Sequence, residues 1–452
     1  MKKLQVLLSV LMAVSLLLAG CSTAQPTQSQ ETSPTAESQE PASATTAPEA
    51  PAAEKVSISV TMYNNEADPA NKAFAQVASD YAAANPNVTF NFEYIPSLDL
   101  PSKIETMYLA GNEPDIIVFN YMGPSLDWIK SGLAVPLGNE LKEWGLADRF
   151  REDALTTWTE PDGQLAGIPL PGFDWPVWYN MDILNKAGVD AIPTTQAELI
   201  DAANKVRAAG YQPFSIGGNM GALTQLYQTV INQAFTQDEQ AAHYRTGDYG
   251  SSEAAIAVTQ SFIDLWEAGV FCDGCQGMDW GAMESQYFAG KAAMGFDGMW
   301  AYNAAPEEIQ QATVLGGFAA LDGAVADKPS AIMGAFVSQG IWVTRNGAKQ
   351  MDEVGKFIQF LHTEAEYQTY LDTQAALSPL KDVTAQADQT SPLYAQSLAL
   401  ADKVWTVRAG ETLIPSAAWN EWDKIAVAAM DPDNTGTSVI KMLDDMYVNA
   451  LK

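Results

Sequence analysis

Between Val56 and Met62 the side chains alternate, with Val56, Ile58, Val60 and Met62 apolar and Ser57, Ser59 and Thr61 polar. A period of two sends one set to each face of a pleated strand, so a half-buried β-strand is predicted. After Pro69 the spacing changes. Phe74, Val77, Ala78 and Tyr81 fall on one face of a helix, and Asn85-Pro86-Asn87 stops it. Val88, Phe90, Phe92 and Tyr94 mark a second strand, Ile104, Met107 and Tyr108 a short helix ending at Gly111, and Asp115–Phe119 a buried strand. Strand, helix, strand, helix, strand predicts an α/β sheet with crossover helices. The pattern then resumes. Thr195 and Glu198 form a capping box for a helix to about Ala209. Pro213–Ile216 reads as a strand, and Ser251–Ala268 as an amphipathic helix stopped by Gly269. No short internal repeat is present.

The segment before Val56 has a different character. Lys2 and Lys3 precede an apolar run, Leu4–Leu18, broken only by Gln5, Ser9 and Ser15. This is the core of an export signal, short for a membrane span. It ends in Leu18-Ala19-Gly20-Cys21, which resembles the bacterial lipobox. Residues 1–20 are therefore expected to be removed and Cys21 lipidated, with several acyl chains needed for firm anchoring. Ser22–Glu54 has no aromatic residue, Lys or Arg. It cannot bury enough apolar surface to offset its ordering entropy, so residues 21–55 are expected to be a disordered tether. About 400 residues remain, enough for two domains or lobes. The net charge of −31 would repel a phosphate backbone and argues against a nucleic-acid partner. No later segment is apolar for long enough to form a membrane helix.

Familiar catalytic patterns are missing. There is no Gly-x-Ser-x-Gly elbow. Gly290-Lys291 runs into Ala292, so no phosphate loop forms. His243 and His362 are far apart and read as packed or surface residues. Ser378-Pro379-Leu380-Lys381 spells Ser-x-x-Lys without its Lys-Thr-Gly companion. Six arginines (Arg149, Arg151, Arg207, Arg245, Arg345 and Arg408) give little material for clamping a strong anion. Cys272 and Cys275 lack the second pair of a structural zinc site. Outside the cell they are expected as a small local disulfide, with free thiols the alternative. No metal and no cofactor are expected.

Aromatic residues recur beside amides and carboxylates near the ends of apolar segments. Examples are Tyr63-Asn64-Asn65-Glu66, Phe119-Asn120-Tyr121, Phe173-Asp174-Trp175, Gly217-Gly218-Asn219, Phe296-Asp297-Gly298-Met299-Trp300 and Trp419-Asn420-Glu421-Trp422. In open α/β sheets ligands sit beyond the carboxyl ends of strands. A neutral sugar offers hydroxyls to planar amides and carboxylates, and an apolar C–H face to an indole or phenol ring. Any single Trp is equally well explained as core; the recurrence carries the signal.

The order of several further pieces resembles the extracellular solute-binding proteins of carbohydrate ABC importers, the broad family that includes maltose-binding protein. These pieces are Asn64-Asn65-Glu66, Phe74 to Asn85-Pro86 leading to Val88, Gly111-Asn112-Glu113-Pro114-Asp115-Ile116 and Asp162-Gly163-Gln164-Leu165-Ala166-Gly167-Ile168-Pro169. Trp178-Tyr179-Asn180-Met181-Asp182 to Lys186-Ala187-Gly188, and Phe288-Ala289-Gly290-Lys291-Ala292-Ala293-Met294 with Asp297-Gly298-Met299-Trp300, complete the series. The resemblance implies an α/β, two-lobed, type II periplasmic-binding-protein-like fold that closes on ligand about a hinge. Lobe one would comprise residues 56–174 and 338–390, and lobe two 175–337 and 391–452. Ligand contacts carry over to Asn65, Glu66, Asn120, Tyr121, Asp174, Trp175, Asn219, Asp297, Trp300, Phe336 and Trp419, with Trp300 and Trp419 at ring-stacking positions. The implied role is non-enzymatic. A monomer, held to the membrane through Cys21 on the extracellular or periplasmic face, would pass a mono- or oligosaccharide to an ABC permease. The alternatives are a polyamine or metal-complex binder, and a secreted glycosidase using two of Glu66, Asp174 and Asp297. The tract Phe271–Gln286 departs from the family pattern and receives no reading.

Overall fold

A computed structural model describes residues 54–218, 221–373, 376–386 and 391–452. The leader, Cys21 and most of the tether lie outside the described residues. Twelve strands occur among the described residues: β1 (Val56–Tyr63), β2 (Val88–Ile95), β3 (Ile116–Phe119), β4 (Ile168–Pro169), β5 (Phe173–Trp175), β6 (Val177–Asn180), β7 (Gln212–Ser215), β8 (Ala292–Phe296), β9 (Thr313–Gly316), β10 (Ser330–Ala335), β11 (Gly340–Val343) and β12 (Trp405–Val407).

The first sheet has the order β2-β1-β3-β11-β4. β1 runs parallel to both neighbours, pairing Val60 with Phe92 on one side and Ile116 on the other. Helices Pro69–Ala84 and Leu100–Ala110 make the crossovers. The alternation of β1 buries Ile58, Val60 and Met62, and the helix face read from sequence (Phe74, Val77, Ala78 and Tyr81) packs into the same core. Phe74 and Tyr81 meet Phe357 edge-on, at 5.6 Å between ring centroids in each case. β11 returns antiparallel to β3, pairing Trp342 with Ile117. Asp115 sits just before β3 rather than in it. Its Oδ2 accepts from the Ser59 N–H at 2.8 Å, which fixes the strand start.

The second sheet has the order β7-β8-β6-β9. β7 and β8 are parallel, and β6 is antiparallel to both β8 and β9. Helix Gln196–Ala208, which precedes β7, opens with the expected capping box. Thr195 Oγ1 accepts from the Glu198 N–H at 3.3 Å, and Glu198 Oε2 from the Thr195 N–H at 3.2 Å. Helix Glu253–Glu267 follows, with Gly269 beyond its end at φ +72°.

Among the described residues, two passages join one sheet directly to the other. The chain leaves the first through β4, runs along β5 and enters the second at β6. It returns through β10 and enters β11. β5 and β10 pair antiparallel, and β12 adds to β10 as a third small sheet. The result is the two-lobed α/β fold. Among the described residues no helix is long and apolar enough to cross a membrane.

Aromatic rings also pack closely where β4 and β11 meet. Trp158 stacks on Tyr121 at 4.8 Å and tilts against Trp342 at 5.2 Å. A Cβ at Gly340 would lie 2.1 Å from the Trp158 ring. Gly340→Ala is therefore expected to lower unfolding free energy by about 1–3 kcal/mol, as overpacking does. Urea unfolding measures it, and an unchanged midpoint would mean that the Trp158 ring has room to move.

Candidate functional site

A cavity of about 640 Å³ opens where the carboxyl ends of β1, β3 and β8 converge with the crossing segment before β5. Its volume is within the range of small-molecule sites, roughly 300–1,000 Å³. One wall comes from the first sheet. Tyr63 and Asn64 follow the end of β1, Asp68 caps the next helix, Asn120 follows β3, and Ser338 and Gln339 precede β11. The opposite wall carries Trp280 and Glu284 from helix Trp280–Phe288, and Met299, Trp300 and Asn303 from the turn after β8. Pro171, Gly172 and Phe173 lie at the base.

The polar wall is pre-set by internal hydrogen bonds. Gln339 Nε2 donates to Tyr63 Oη at 2.6 Å, while Gln339 Oε1 accepts from Tyr370 Oη at 3.0 Å. Burial raises the Tyr63 phenol, so it stays protonated. Asn64 takes φ +66°, a left-handed conformation that Asn tolerates better than most residues. Asp68 is engaged by its own helix, accepting from the Ala70 N–H at 3.0 Å and from Asn64 Nδ2 at 3.0 Å. Asn120 differs: its Oδ1 is buried and accepts no hydrogen bond. A buried amide oxygen left in this state costs about 1–3 kcal/mol.

The opposite wall is aromatic. Trp300 is 43% exposed, whereas Trp175 behind it is 5% exposed. Trp300 meets Trp175 at 4.9 Å and Phe173 at 5.5 Å edge-on and Trp280 at 5.8 Å at a tilt, and Trp175 stacks on Phe296 at 5.4 Å. Gly298 allows this arrangement, because a Cβ there would lie 2.2 Å from the Trp300 ring. Trp280 Nε1 donates to Glu284 Oε1 at 2.9 Å. The charged residues lining the cavity are Asp68 and Glu284, and among the described residues no Arg or Lys lines it. No group of three His, Cys, Asp or Glu could hold a metal ion among the described residues.

The residues singled out from sequence fall in several places. Asn120 and Trp300 line the cavity. Asn65 and Glu66 are exposed and lie outside its lining, and the neighbouring Asn64 takes that place. Tyr121 turns into the core, stacked on Trp158 and donating to Glu160 Oε1 at 2.7 Å. Trp175 backs Trp300. Asp297 is buried behind Glu284, with its carboxyl held well above the usual range by burial and by the Glu284 charge. Phe336 is buried beneath Gly172, with Arg151 over its ring at 5.3 Å. Trp419 lies against Gly123, away from the cavity lining. Asn219 is outside the described residues. His362 is packed, with Nδ1 2.7 Å from the Ile358 carbonyl and burial lowering its pKa to about 4. Trp280, Glu284 and Gln339 were not anticipated. Trp280 and Glu284 belong to the tract that departs from the family pattern, and Tyr63 was named in the strand-end cluster but not among the ligand contacts that the resemblance implies.

Asp174 is not a cavity residue. It is buried in β5, accepting from the Gly334 N–H at 2.5 Å and from the Ser397 hydroxyl. It therefore joins β5, β10 and helix Pro392–Leu398.

Residues 65–368 match the family described as bacterial extracellular solute-binding protein. The chain belongs to this family. A binding protein of Brucella abortus is 29% identical over 166 residues, which is 36% of this chain and 38% of that relative. The match thus spans little more than a third of that relative's length. The multiple sugar-binding protein of Streptococcus mutans is 22% identical over 413 residues, 88% of each chain. Among solved structures, a secreted solute-binding lipoprotein from Streptomyces coelicolor superimposes with a TM-score of 0.75 at 29% identity, covering 87% of this chain and 98% of that one. A chitin oligosaccharide binding protein has the same fold, with a TM-score of 0.74 at 21% identity over 87% of this chain and 99% of that one. The family and these proteins are named for binding.

Burial raises the Asp174 carboxyl to about 6, against the lowering effect of its hydrogen bonds and of Arg151. The unfolded value is about 3.9. Between these values the unfolded chain gives up its proton while the folded chain retains it, so this group's contribution to stability falls as pH rises from about 4 to about 6. Asp174→Asn removes that term. Relative to wild type, the variant should gain on the order of 2–3 kcal/mol between pH 4 and pH 7. Chemical denaturation at both pH values measures the difference, and a constant gap would show that Asp174 titrates normally.

Proposed function

We propose that this extracellular solute-binding protein captures a neutral mono- or oligosaccharide between its lobes and delivers it to an ABC permease. The observation that carries this reading is the pairing of an open Trp300 ring with the unsatisfied Asn120 Oδ1 across the cavity. An indole face suits the C–H face of a pyranose, and an orphan amide oxygen suits its hydroxyl. The absence of Arg and Lys from the described lining speaks against a phosphorylated solute. A cationic solute is less well served, because Asp68 and Glu284 are already hydrogen-bonded within the protein.

The reading is of a binder that performs no reaction. Of the three carboxylates singled out from sequence for a glycosidase, Glu66 is exposed outside the cavity, Asp174 is committed between β5 and β10, and Asp297 is buried behind Glu284, while the two that line the cavity, Asp68 and Glu284, are already hydrogen-bonded within the protein. The lobes in this proposal are residues 56–174 with 338–390 and residues 175–337 with 391–452. That division is supported by a first sheet drawn from residues 56–169 and 340–343, and a second from 177–316. A lipidated Cys21 would keep the monomer at the outer face of the membrane, with residues 21–55 as its tether.

Thermal unfolding of residues 55–452 against neutral di- and trisaccharides, spermidine and glycerol 3-phosphate tests this. A sugar at a hundred times its dissociation constant stabilises the folded form by about 2.7 kcal/mol. An upward shift with a neutral sugar is expected, and Trp300→Ala should weaken that binding about thirtyfold, roughly 2 kcal/mol. A shift from spermidine or glycerol 3-phosphate alone would overturn the sugar assignment.

A further inference from the structure

The tract Phe271–Gln286 delivers Trp280 and Glu284 to the cavity. It contains the bonded pair Cys272–Cys275, whose Cα atoms lie 5.4 Å apart. Both cysteines are buried, at 4% and 0% exposure, so the bridge is shielded from solvent thiols. A loop this short removes little entropy from the unfolded chain compared with a long one. Its main effect must be local.

The bridged turn is stitched to the second sheet on both sides. The Cys272 N–H donates to the Phe214 carbonyl at 2.9 Å, extending the β7 edge. The Cys275 carbonyl accepts from the Gly218 N–H at 2.9 Å and from the Met278 N–H at 3.1 Å. Arg207 Nη2 donates to the Phe271 carbonyl at 2.6 Å and pairs with Asp273 through Nη1 at 2.9 Å. Gly218 approaches so closely that a Cβ there would lie 2.7 Å from Gln276 Cα and 2.8 Å from the Cys275 carbonyl oxygen. Four residues after Cys275, Asp279 caps the next helix by accepting from the Ala282 N–H at 2.8 Å. Trp280 opens that helix and Glu284 follows one turn later, joined by their 2.9 Å hydrogen bond.

We propose that the Cys272–Cys275 disulfide is a positioning device for the binding wall: it fixes where helix Trp280–Phe288 begins, and so where Trp280 and Glu284 stand in the cavity. A free turn could still pair with β7 through Cys272. It would leave the Cys275 carbonyl, and with it the Gly218 and Met278 donors, without a fixed partner. The helix start would then shift against Trp300, its neighbour at 5.8 Å. For its effect on affinity the proposal rests on the cavity being the ligand site.

Two changes test it, the double variant Cys272→Ala/Cys275→Ala and, with both cysteines retained, Gly218→Ala, which displaces the turn sterically. Amide hydrogen exchange is followed over residues 279–285, with helix Glu253–Glu267 as internal reference. Affinity is read as half-saturation by an equimolar mixture of maltose, cellobiose, xylobiose and laminaribiose, alongside the melting temperature. The expected result in either folded variant is exchange at 279–285 faster by about fivefold or more at constant reference rates, with half-saturation raised by about tenfold or more. A lower melting temperature with unchanged exchange and unchanged half-saturation would overturn the proposal and leave the bridge a general brace. If none of the four sugars binds even the wild type, the exchange result still decides the positioning, and the failure falls on the sugar reading alone.

Discussion

A chain that passes twice between two sheets must bury its crossing segments and still satisfy their polar groups. Asp174 meets this constraint. Its carboxyl accepts from the Gly334 N–H of the returning strand and from Ser397 of a later helix, all within a buried environment. Burying the carboxylate is costly, which appears as its raised pKa. In exchange β5 and β10 are held side by side, and Phe173 at the edge of this junction reaches the base of the cavity. The geometry of the cavity walls depends on this junction.

The two walls are built on different principles. The polar wall is a chain of fixed donors and acceptors, with Tyr370 orienting Gln339 and Gln339 orienting Tyr63, so that little reorganisation is needed when a solute arrives. The aromatic wall is layered. Phe296 supports Trp175, Trp175 supports Trp300, and only the last of these presents substantial surface. Gly298 makes the final layer feasible by leaving room for an indole over the backbone. Asn120, whose buried Oδ1 accepts no hydrogen bond from the protein, lines the same cavity.

Much of the fold was legible in the sequence because its long elements carry clean periods. The alternation of Val56 to Met62, the helical face of Phe74 to Tyr81 and the Thr195–Glu198 box each predict an observed element within a residue or two. β4 and β5 were not legible, since two or three residues cannot display a period. At the site, strand-end reasoning reached Asn120 and Trp300. At β1 the strand-end cluster included Tyr63 and Asn64, which line the cavity, whereas the family resemblance selected Asn65 and Glu66, which are exposed outside that lining beyond the left-handed turn at Asn64. Tyr121 and Trp175 carried the right chemistry, yet their side chains serve the core. Which of two adjacent aromatic or amide residues faces a cavity is set by tertiary packing and leaves no trace in composition. Trp280 and Glu284 were hidden for another reason: their helix start is specified by a bridged turn with no counterpart in the pattern used to read the chain.

The account stands most directly on where a sugar sits. A crystal structure of residues 55–452 grown with a saccharide shown to bind would decide it. The account predicts a pyranose ring lying on the Trp300 indole, with a hydroxyl donating to Asn120 Oδ1. A saccharide bound elsewhere, or one held in the cavity without touching either residue, would contradict it.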